Sequence, residues 1–589
     1  MKTLVSHVCK RLLPFAIICV VTAVSCKRSF DVSPETTLNS SQMYRNVYDA
    51  DAAVIGLYGK FVGIAKQYTI LNELRGDLME VTTNADDSLK QINTHSVQAG
   101  NPYANPRPYY ALINDCNDVL RNFNVMLAGN KFKLAEYQQR YSDVGSLRSW
   151  LYLQLGIHFG KVPYVTDPLE TIDAVKDASK YPLIPFSQLL DSLIKFTQSL
   201  PYQLPYPTGS NLMITAVDGN NTQAFFIEKN GLLGDLNLWK GNYTAAAIYY
   251  RLLMESTGYS NNSVQNTASD QYFQQYKQAY ASVTDNKDLC VGYIRYHEMD
   301  ISSLVENNSQ GWRSMFSRGQ DNLFNQQMIW VLPFSSSFAP VNPFIDLFSN
   351  NGGKYLVKPS QQAMDNWNSQ TQANGFPFDA RGNFTWKTIN GQPVIMKYLY
   401  QYVDPTSLIP TNVLAKNGEW FLNRASAVHL HFAEAANRDG RHRLAYGFVN
   451  GGIDTAFGAA GNVDVTPYQN TLYEPFPYNF DGRNGTYPYF RGPWYRHAGI
   501  RGCARVTYNT VVGDSTLSIE NSILKEGALE LAYEGYRWPD LLRIALRRND
   551  PSIIADAIYN KLNKDGNPQA AAVRAKLMDP NNWYLPFKW

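Results

Sequence analysis

Two amphipathic patterns joined by a short turn constrain this chain more than any other feature. Phe225 to Leu238 carries apolar residues three and four apart, Lys240, Gly241 and Asn242 interrupt it, and Tyr243 to Met254 resumes the period. A helix with one apolar stripe must bury that stripe against a neighbour. Leu147 to Phe159 (LRSWLYLQLGIHF), Arg424 to Arg438 (RASAVHLHFAEAANR) and Ser522 to Glu534 (SILKEGALELAYE) each present a stripe of the same kind. Helix pairs dispersed along a chain predict a mostly α fold, a solenoid core in which each pair covers the next.

The second half of the first pair, GNYTAAAIYYRLLM, resembles a tetratricopeptide repeat: Gly241 at the turn, Tyr243 two positions on, Ala246 and Ala247 where helices cross closely, and Tyr250 to fill the groove. Between Glu306 and Pro410 the character changes. MIWVLPFSSSF (Met328 to Phe338) reads as a short strand entering a loop, and KYLYQYV (Lys397 to Val403) alternates like another strand. The stretch from Gly458 to Gly502 is loop-like and holds several glycines and aromatics. Long irregular insertions on a helical scaffold are more often functional than ornamental.

The amino terminus predicts export. Met1 to Arg11 carries Lys2, Lys10 and Arg11 and no acid, and Leu12 to Val24 is almost wholly apolar. Those thirteen apolar residues are too few to cross a bilayer, which takes about twenty, so the segment reads as a signal peptide. Small residues directly before Cys26 resemble the lipobox of bacterial lipoproteins, although Ala23 stands where that motif has a larger aliphatic residue. The organisation expected is a signal peptide at 1–25, a lipidated tether at 26–41 beginning at Cys26, and one body at 42–589. An irregular lobe would be inserted in that body at roughly 260–420 and 457–510.

Removing the leader takes three of the 53 basic residues and none of the 50 acidic ones, so the mature chain is balanced and lacks the basic field that nucleic acid requires. Beyond the leader and Cys26 the cysteines are Cys116, Cys290 and Cys503: one disulfide at most, and no metal-binding spacing. Aromatic residues make up 13% of the chain, with 39 tyrosines, enough to place rings at the surface as contact residues.

Enzyme signatures are missing. His429 and His431, two apart, face different sides of a helix; YHEMD (Tyr296 to Asp300) lacks the second histidine of a zinc helix; the acidic turns at Asp218 and Asp285 read as surface loops. There is no G-x-S-x-G elbow and no phosphate loop, and no cofactor is implied. The stretch YEGYRWPDLLRIALRRND, Tyr533 to Asp550, is rich in acids and arginines but has no nucleophile, and reads as architecture. Gly535 would end one helix, Pro539 would start the next, Asp540 would sit in its first turn, Trp538 would lie over the corner, and Arg537 would reach back to Glu534.

Four segments carry a wider resemblance. EGYRWPDLLR (Glu534 to Arg543), LRSWLYLQLGIHFGKVPYV (Leu147 to Val165), RASAVHLHFAEAANRDG (Arg424 to Gly440) and SFDVSP (Ser29 to Pro34) are similar to motifs of the RagB/SusD family of outer-membrane nutrient-binding lipoproteins. The likeness extends over nearly the whole chain, with Ser426 and Ala427 departing from the usual Ala-Glu. It implies a SusD-like fold with four tetratricopeptide-like helix pairs and an irregular ligand-binding lobe. It further implies a lipid-anchored, surface-exposed position on the outer membrane. The implied partner is a SusC-like TonB-dependent transporter, to which the protein delivers a captured oligosaccharide or polysaccharide, with peptide as the alternative cargo.

The ligand site is expected on two loops, Arg75 to Arg107 and Phe338 to Lys354. By resemblance Arg75 and Asp77, in RGD, form a polar pair near the ligand, and GNPYANPRPYY offers Asn101, Tyr103 and Asn105 on a proline-stiffened loop. Phe338, Phe344 and Phe348 lie among Ser and Asn, and Trp312 in NNSQGWRS is a further exposed candidate. Ring faces beside amides and charges are what sugars require, although the rings could instead pack a small core of the lobe itself. One residue, Cys26, carries the expected anchor: Cys26→Ala should move the protein from the membrane to the soluble fraction, and unchanged fractionation would refute lipidation.

Overall fold

The computed structural model describes residues 43–171, 178–202, 224–254, 311–317, 328–373, 377–452, 474–479 and 499–588, with scattered positions between them. Cys26, the tether, Asp218, Asp285, Cys290, Tyr296 to Asp300 and the stretch 480–498 lie outside the described residues. The fold is mostly helical. The principal helices are α1 (Val47–Phe61), α2 (Arg107–Ala128), α3 (Leu134–Phe159), α4 (Phe186–Ser199), α5 (Lys229–Lys240) and α6 (Tyr243–Met254). They are followed by α7 (Ala425–Arg438), α8 (His442–Val449), α9 (Ser515–Glu530), α10 (Arg537–Arg548), α11 (Ser552–Lys564) and α12 (Ala570–Leu577).

Consecutive helices pack as hairpins: α2 on α3, α5 on α6, α7 on α8 and α11 on α12. The hairpins stack, α3 meeting α4, α4 meeting α5, α6 meeting α7 and α7 meeting α9. The repeat-like residues do what their size suggests. Ala246 and Ala247 are fully buried, and a Cβ at Gly234 of α5 would lie 2.4 Å from the Tyr250 ring of α6, so the crossing needs glycine there. Helix α5 starts at Lys229 and not at Phe225, because the Glu228 carboxylate accepts the N–H groups of Asn230 and Gly231 and caps the helix at that point. Helix α3 is longer than its apolar core indicates, reaching back to Leu134. No helix among the described residues is long and apolar enough to cross a membrane.

Short strands fasten the irregular segments to this stack. Strand β1 (Met79–Val81) pairs antiparallel with β3 (Val357–Pro359), and β2 (Met328–Phe334) pairs antiparallel with β4 (Gly418–Arg424). Lys397 to Val403 is not the strand its alternation suggests. It is a run of tight turns, with Leu399 N–H donating to Met396 O and Tyr402 N–H to Leu399 O, each at 2.8 Å. Tertiary partners outweigh β-propensity here: the buried Lys397 ammonium meets Glu534 at 2.6 Å, and the Tyr398 hydroxyl donates to Tyr533 O at 2.8 Å. Cys116 and Cys503 are buried free thiols, so they are not bridged to one another.

The corner between α9 and α10 is architecture, with different partners from those its sequence suggests. Helix α9 ends at Glu530, four residues before the expected end, and Gly535 turns the chain at φ +96°, with the Tyr68 ring where a side chain would stand. Arg537 does not reach Glu534. It forms a two-pronged pair with Asp77, one prong at 2.8 Å, and donates to Leu524 O at 2.9 Å. Glu534 is taken instead by Arg424 at 2.7 Å and by Lys397. The buried Glu73 carboxylate accepts the N–H groups of Tyr533, Gly535 and Tyr536 at 2.6–3.1 Å, the position at the start of α10 that the helix dipole favours. Trp538 is fully buried and not merely over the corner.

His429 and His431 are buried, as partly packed helix histidines. His431 lies between Asp235 (3.0 Å) and Asp540 (3.6 Å); burial opposes its charge, but the two carboxylates outweigh it and raise its pKa to about 9. Because Asp77 and Arg537 tie the amino-terminal segment to α10 while shielded from water, Arg537→Ala leaves a buried carboxylate without its cation. The expected loss is about 3 kcal/mol or more, and Asp77→Asn combined with Arg537→Ala should recover part of it. Denaturant unfolding of the single and double variants checks this.

Candidate functional site

The proline-stiffened loop is held from beneath. Asn101 accepts the Tyr103 N–H at 3.0 Å and donates to Ser88 O at 2.9 Å and to Gln91 Oε1 at 3.1 Å. Gln67 donates to the carbonyls of Tyr103 and Asn105, both at 2.8 Å, and Asn105 Oδ1 accepts the Arg107 N–H at 3.0 Å. With the backbone fixed, the ring of Tyr103 and the amide of Asn105 stay partly exposed. The Lys66 ammonium stands 5.5 Å from the centre of the Tyr103 ring. Burial, then the nearby Lys354, lowers the pKa of Lys66.

The two loops expected to share the site are stitched together. Beside the β1/β3 pair, Thr82 N–H donates to Leu356 O at 3.0 Å and Asn84 Nδ2 to Lys354 O at 3.1 Å. Asp346 then gathers Lys416 at 3.0 Å and Lys354 at 3.4 Å. A third segment joins this face: Ser336 N–H donates to Asn417 Oδ1 at 2.8 Å and Asn342 N–H to Lys416 O at 3.1 Å. The half-exposed Phe338 and the exposed Val341 lie on this joined segment, and the exposed Val413 and Leu414 precede its partner Lys416. On the same loop a depression of about 260 Å³, which the Tyr103 ring does not line, lies between residues 98–102, 104–107 and Pro586 and Lys588. A larger one of about 590 Å³, lined by Lys90, Gln91, Thr94, Gln98, Asn567 and Gln569, meets it at Gln98. The Tyr103 ring, the ammonium groups of Lys66, Lys354 and Lys416 and the Asp346 carboxylate thus neighbour one another, a set suited to holding a polyhydroxylated or amide-bearing ligand. Among the described residues no group of three or more His, Cys, Asp or Glu side chains is placed to hold a metal ion.

Several residues expected at the site are spent on the scaffold. Arg75 is buried, its guanidinium 3.9 Å from the Trp538 ring centre, with Nη1 at 3.2 Å from His158 Nδ1 and Nη2 donating to Trp583 O. Asp77 is the buried partner of Arg537. Asn101 is 6% exposed and its amide is consumed by the loop. Trp312, expected to be exposed, is fully buried against Phe316, with the Lys397 ammonium 5.1 Å and the Arg424 guanidinium 5.2 Å from its ring. Phe344 and Phe348 are likewise buried and pack with Tyr398 and Phe334, as part of the core continuous with the helices and not as a separate small core of the lobe. In each case except Asn101, whose partners are local, a guanidinium, carboxylate or ring has a buried partner far away in sequence. Tyr103, Asn105 and Phe338 remain available. Asp346 and Lys354, within the second expected loop but not singled out in it, join them, and so do Lys66 and Lys416, which carry no local sequence signal.

No family model and no curated protein sequence matches the chain. Solved structures do. A SusD superfamily protein from Bacteroides vulgatus superposes with a TM-score of 0.54 at 15% identity, over 88% of this chain and 93% of its own. Surface glycan-binding protein A from Bacteroides uniformis gives 0.52 at 15% identity, over 92% and 96%. A laminarin-binding SusD-like protein gives 0.51 at 13% identity, over 88% and 94%. The chain has the SusD-like fold. Burial separates the two sets of rings energetically: Phe344→Ala and Trp312→Ala should each cost about 3–5 kcal/mol, while Tyr103→Ala and Phe338→Ala should cost about 1 kcal/mol. Chemical denaturation of the four variants measures the contrast.

Proposed function

We propose that this protein captures a glycan at the cell surface and passes it to a TonB-dependent transporter, acting as a binding protein and not as an enzyme. The observation that carries the reading is the fold match along nearly the full length to structures that include a surface glycan-binding protein and a laminarin-binding protein. The face around Tyr103, Lys66, Asp346 and Phe338 supports it, since ring faces stack on pyranoses while ammonium, carboxylate and amide groups bond hydroxyls. The leader and the small residues before Cys26 support a lipid anchor in the outer membrane, with 26–41 as tether and 42–589 as the folded body. A balanced net charge suits a broad packed contact with the transporter better than long-range steering.

A glycan array run beside a peptide library tests the cargo. The expected result is a glycan hit whose affinity falls about tenfold or more in Tyr103→Ala and Phe338→Ala, at unchanged melting temperature. A peptide hit alone would reassign the cargo, and wild-type binding by both variants would move the site. Detergent extraction should co-purify a TonB-dependent barrel; recovery of the protein alone would count against the transporter.

A further inference from the structure

Inside the helical stack lies a cavity of about 60 Å³ with walls from α3, α5, α7, β4 and α10. That is room for roughly four or five waters or a narrow aliphatic chain, and too little for a sugar ring. It extends along α5, since the cap residue Glu228 and Asp235 both line it, seven residues and roughly 10 Å apart at 1.5 Å per residue. At the outer end Asp235, Trp239 and Tyr536 are partly exposed. The inner end is closed by Tyr68, Trp150 and Trp330, none more than 7% exposed. These rings are contiguous: Trp150 lies 5.4 Å from Tyr68 and 5.3 Å from Trp330, and the Trp330 indole donates to Phe225 O, three residues before Glu228, at 2.8 Å.

The closed end holds an acceptor without a donor. Glu228 gives Oε2 to the N–H groups of Asn230 at 2.5 Å and Gly231 at 3.1 Å, while Oε1 is buried and, among the described residues, receives no hydrogen bond from the protein. The adjacent Lys229 does not serve it, because its ammonium donates to Leu200 O at 2.9 Å and Tyr202 O at 3.3 Å. Burial pushes the Glu228 carboxyl up to about 7. The acids at the outer end are already answered: Asp235 Oδ1 takes the Tyr250 hydroxyl at 2.6 Å and His431 Nδ1 at 3.0 Å, and Asp540 takes Arg543 at 2.7 Å. A carboxylate oxygen beside aromatic faces, unanswered by the protein and removed from bulk water, is the environment in which an ammonium group gains most.

We propose that this cavity is a slot for a primary aliphatic ammonium, with the charged tip against Glu228 Oε1 and the rings of Trp150 and Trp330, and the methylene chain along Leu153, Ile157 and Leu232. The ammonium belongs either to a free small amine or to a lysine side chain of a peptide. The slot shares no lining residue with the loop face, so its assignment does not rest on the glycan reading.

The test is titration calorimetry and thermal shift on the full chain in detergent. The probes are butylamine, a diaminobutane and a lysine-containing dipeptide, with butanol and butanoate as controls. Saturable binding of the ammonium compounds alone is expected, weakened about tenfold or more in Glu228→Gln. Leu232→Phe, which fills the slot and spares the carboxylate, should abolish it, and Leu153→Phe is a second filler should the first fail to fold. Binding of the dipeptide without the free amines assigns the ammonium to a peptide; the reverse assigns it to a free amine. Absence of saturable binding by any ammonium, equal binding of butanol, or undiminished binding in Glu228→Gln and a folded filler variant would overturn the proposal.

Discussion

A row of buried carboxylates on and just beyond α9 is the interaction on which the rest of the structure depends. Glu526 meets Arg381 at 2.7 Å and Arg501 at 2.9 Å; Glu530 meets Arg381 and Arg424, both at 2.7 Å; Glu534 meets Arg424 at 2.7 Å and Lys397 at 2.6 Å. Six residues before Glu526 on α9, Glu520 takes Arg438, Arg547 and Arg548. The cations come from the turn segment at 397, the end of β4, the short helices Ala380–Thr385 and Ile500–Cys503, α7 and α10, so these carboxylates fix irregular and helical parts relative to one axis. Burial alone would raise the pKa of Glu530, but Arg424 and Arg381 outweigh it and hold the carboxyl at about 2. Such a network contributes less net stability than its contacts suggest, because every ion is taken out of water; its effect is to penalise arrangements that leave one ion unmatched.

This explains which parts of the molecule could be read from the chain. Periodicity exposes α3, α5, α6, α7 and α9, and the small residues at 246 and 247 mark a close crossing, because those signals are local. The corner at 533–550 is recognisable as architecture for the same reason. Its partners are not: Arg537 lies next to Glu534 in sequence but 460 residues from Asp77, and only the folded chain makes the distant pair the better one. The same blindness misplaces Arg75, Asp77, Trp312, Phe344 and Phe348. Polar neighbours make an aromatic or charged residue look exposed, whereas burial is decided by what the fold brings against it. Lys397 is the sharpest case, a lysine in an alternating segment that ends fully buried against Glu534.

The rings and amides left over from this network are therefore the informative ones. Tyr103 keeps a partly exposed ring while Gln67 and Asn101 satisfy the backbone around it, which lets the loop stay rigid without burying that ring completely. The β1/β3 pair and the Asp346 ion pairs bring a second loop to the same face. A surface prepared in this way loses little conformational entropy when a ligand arrives, so its weak individual contacts need not offset a large ordering cost. The scaffold's many buried ions and the loop face's preorganised groups are two consequences of one arrangement. Charges that hold the body together are withdrawn from solvent, and the side chains that remain outside are held in place by those that do not.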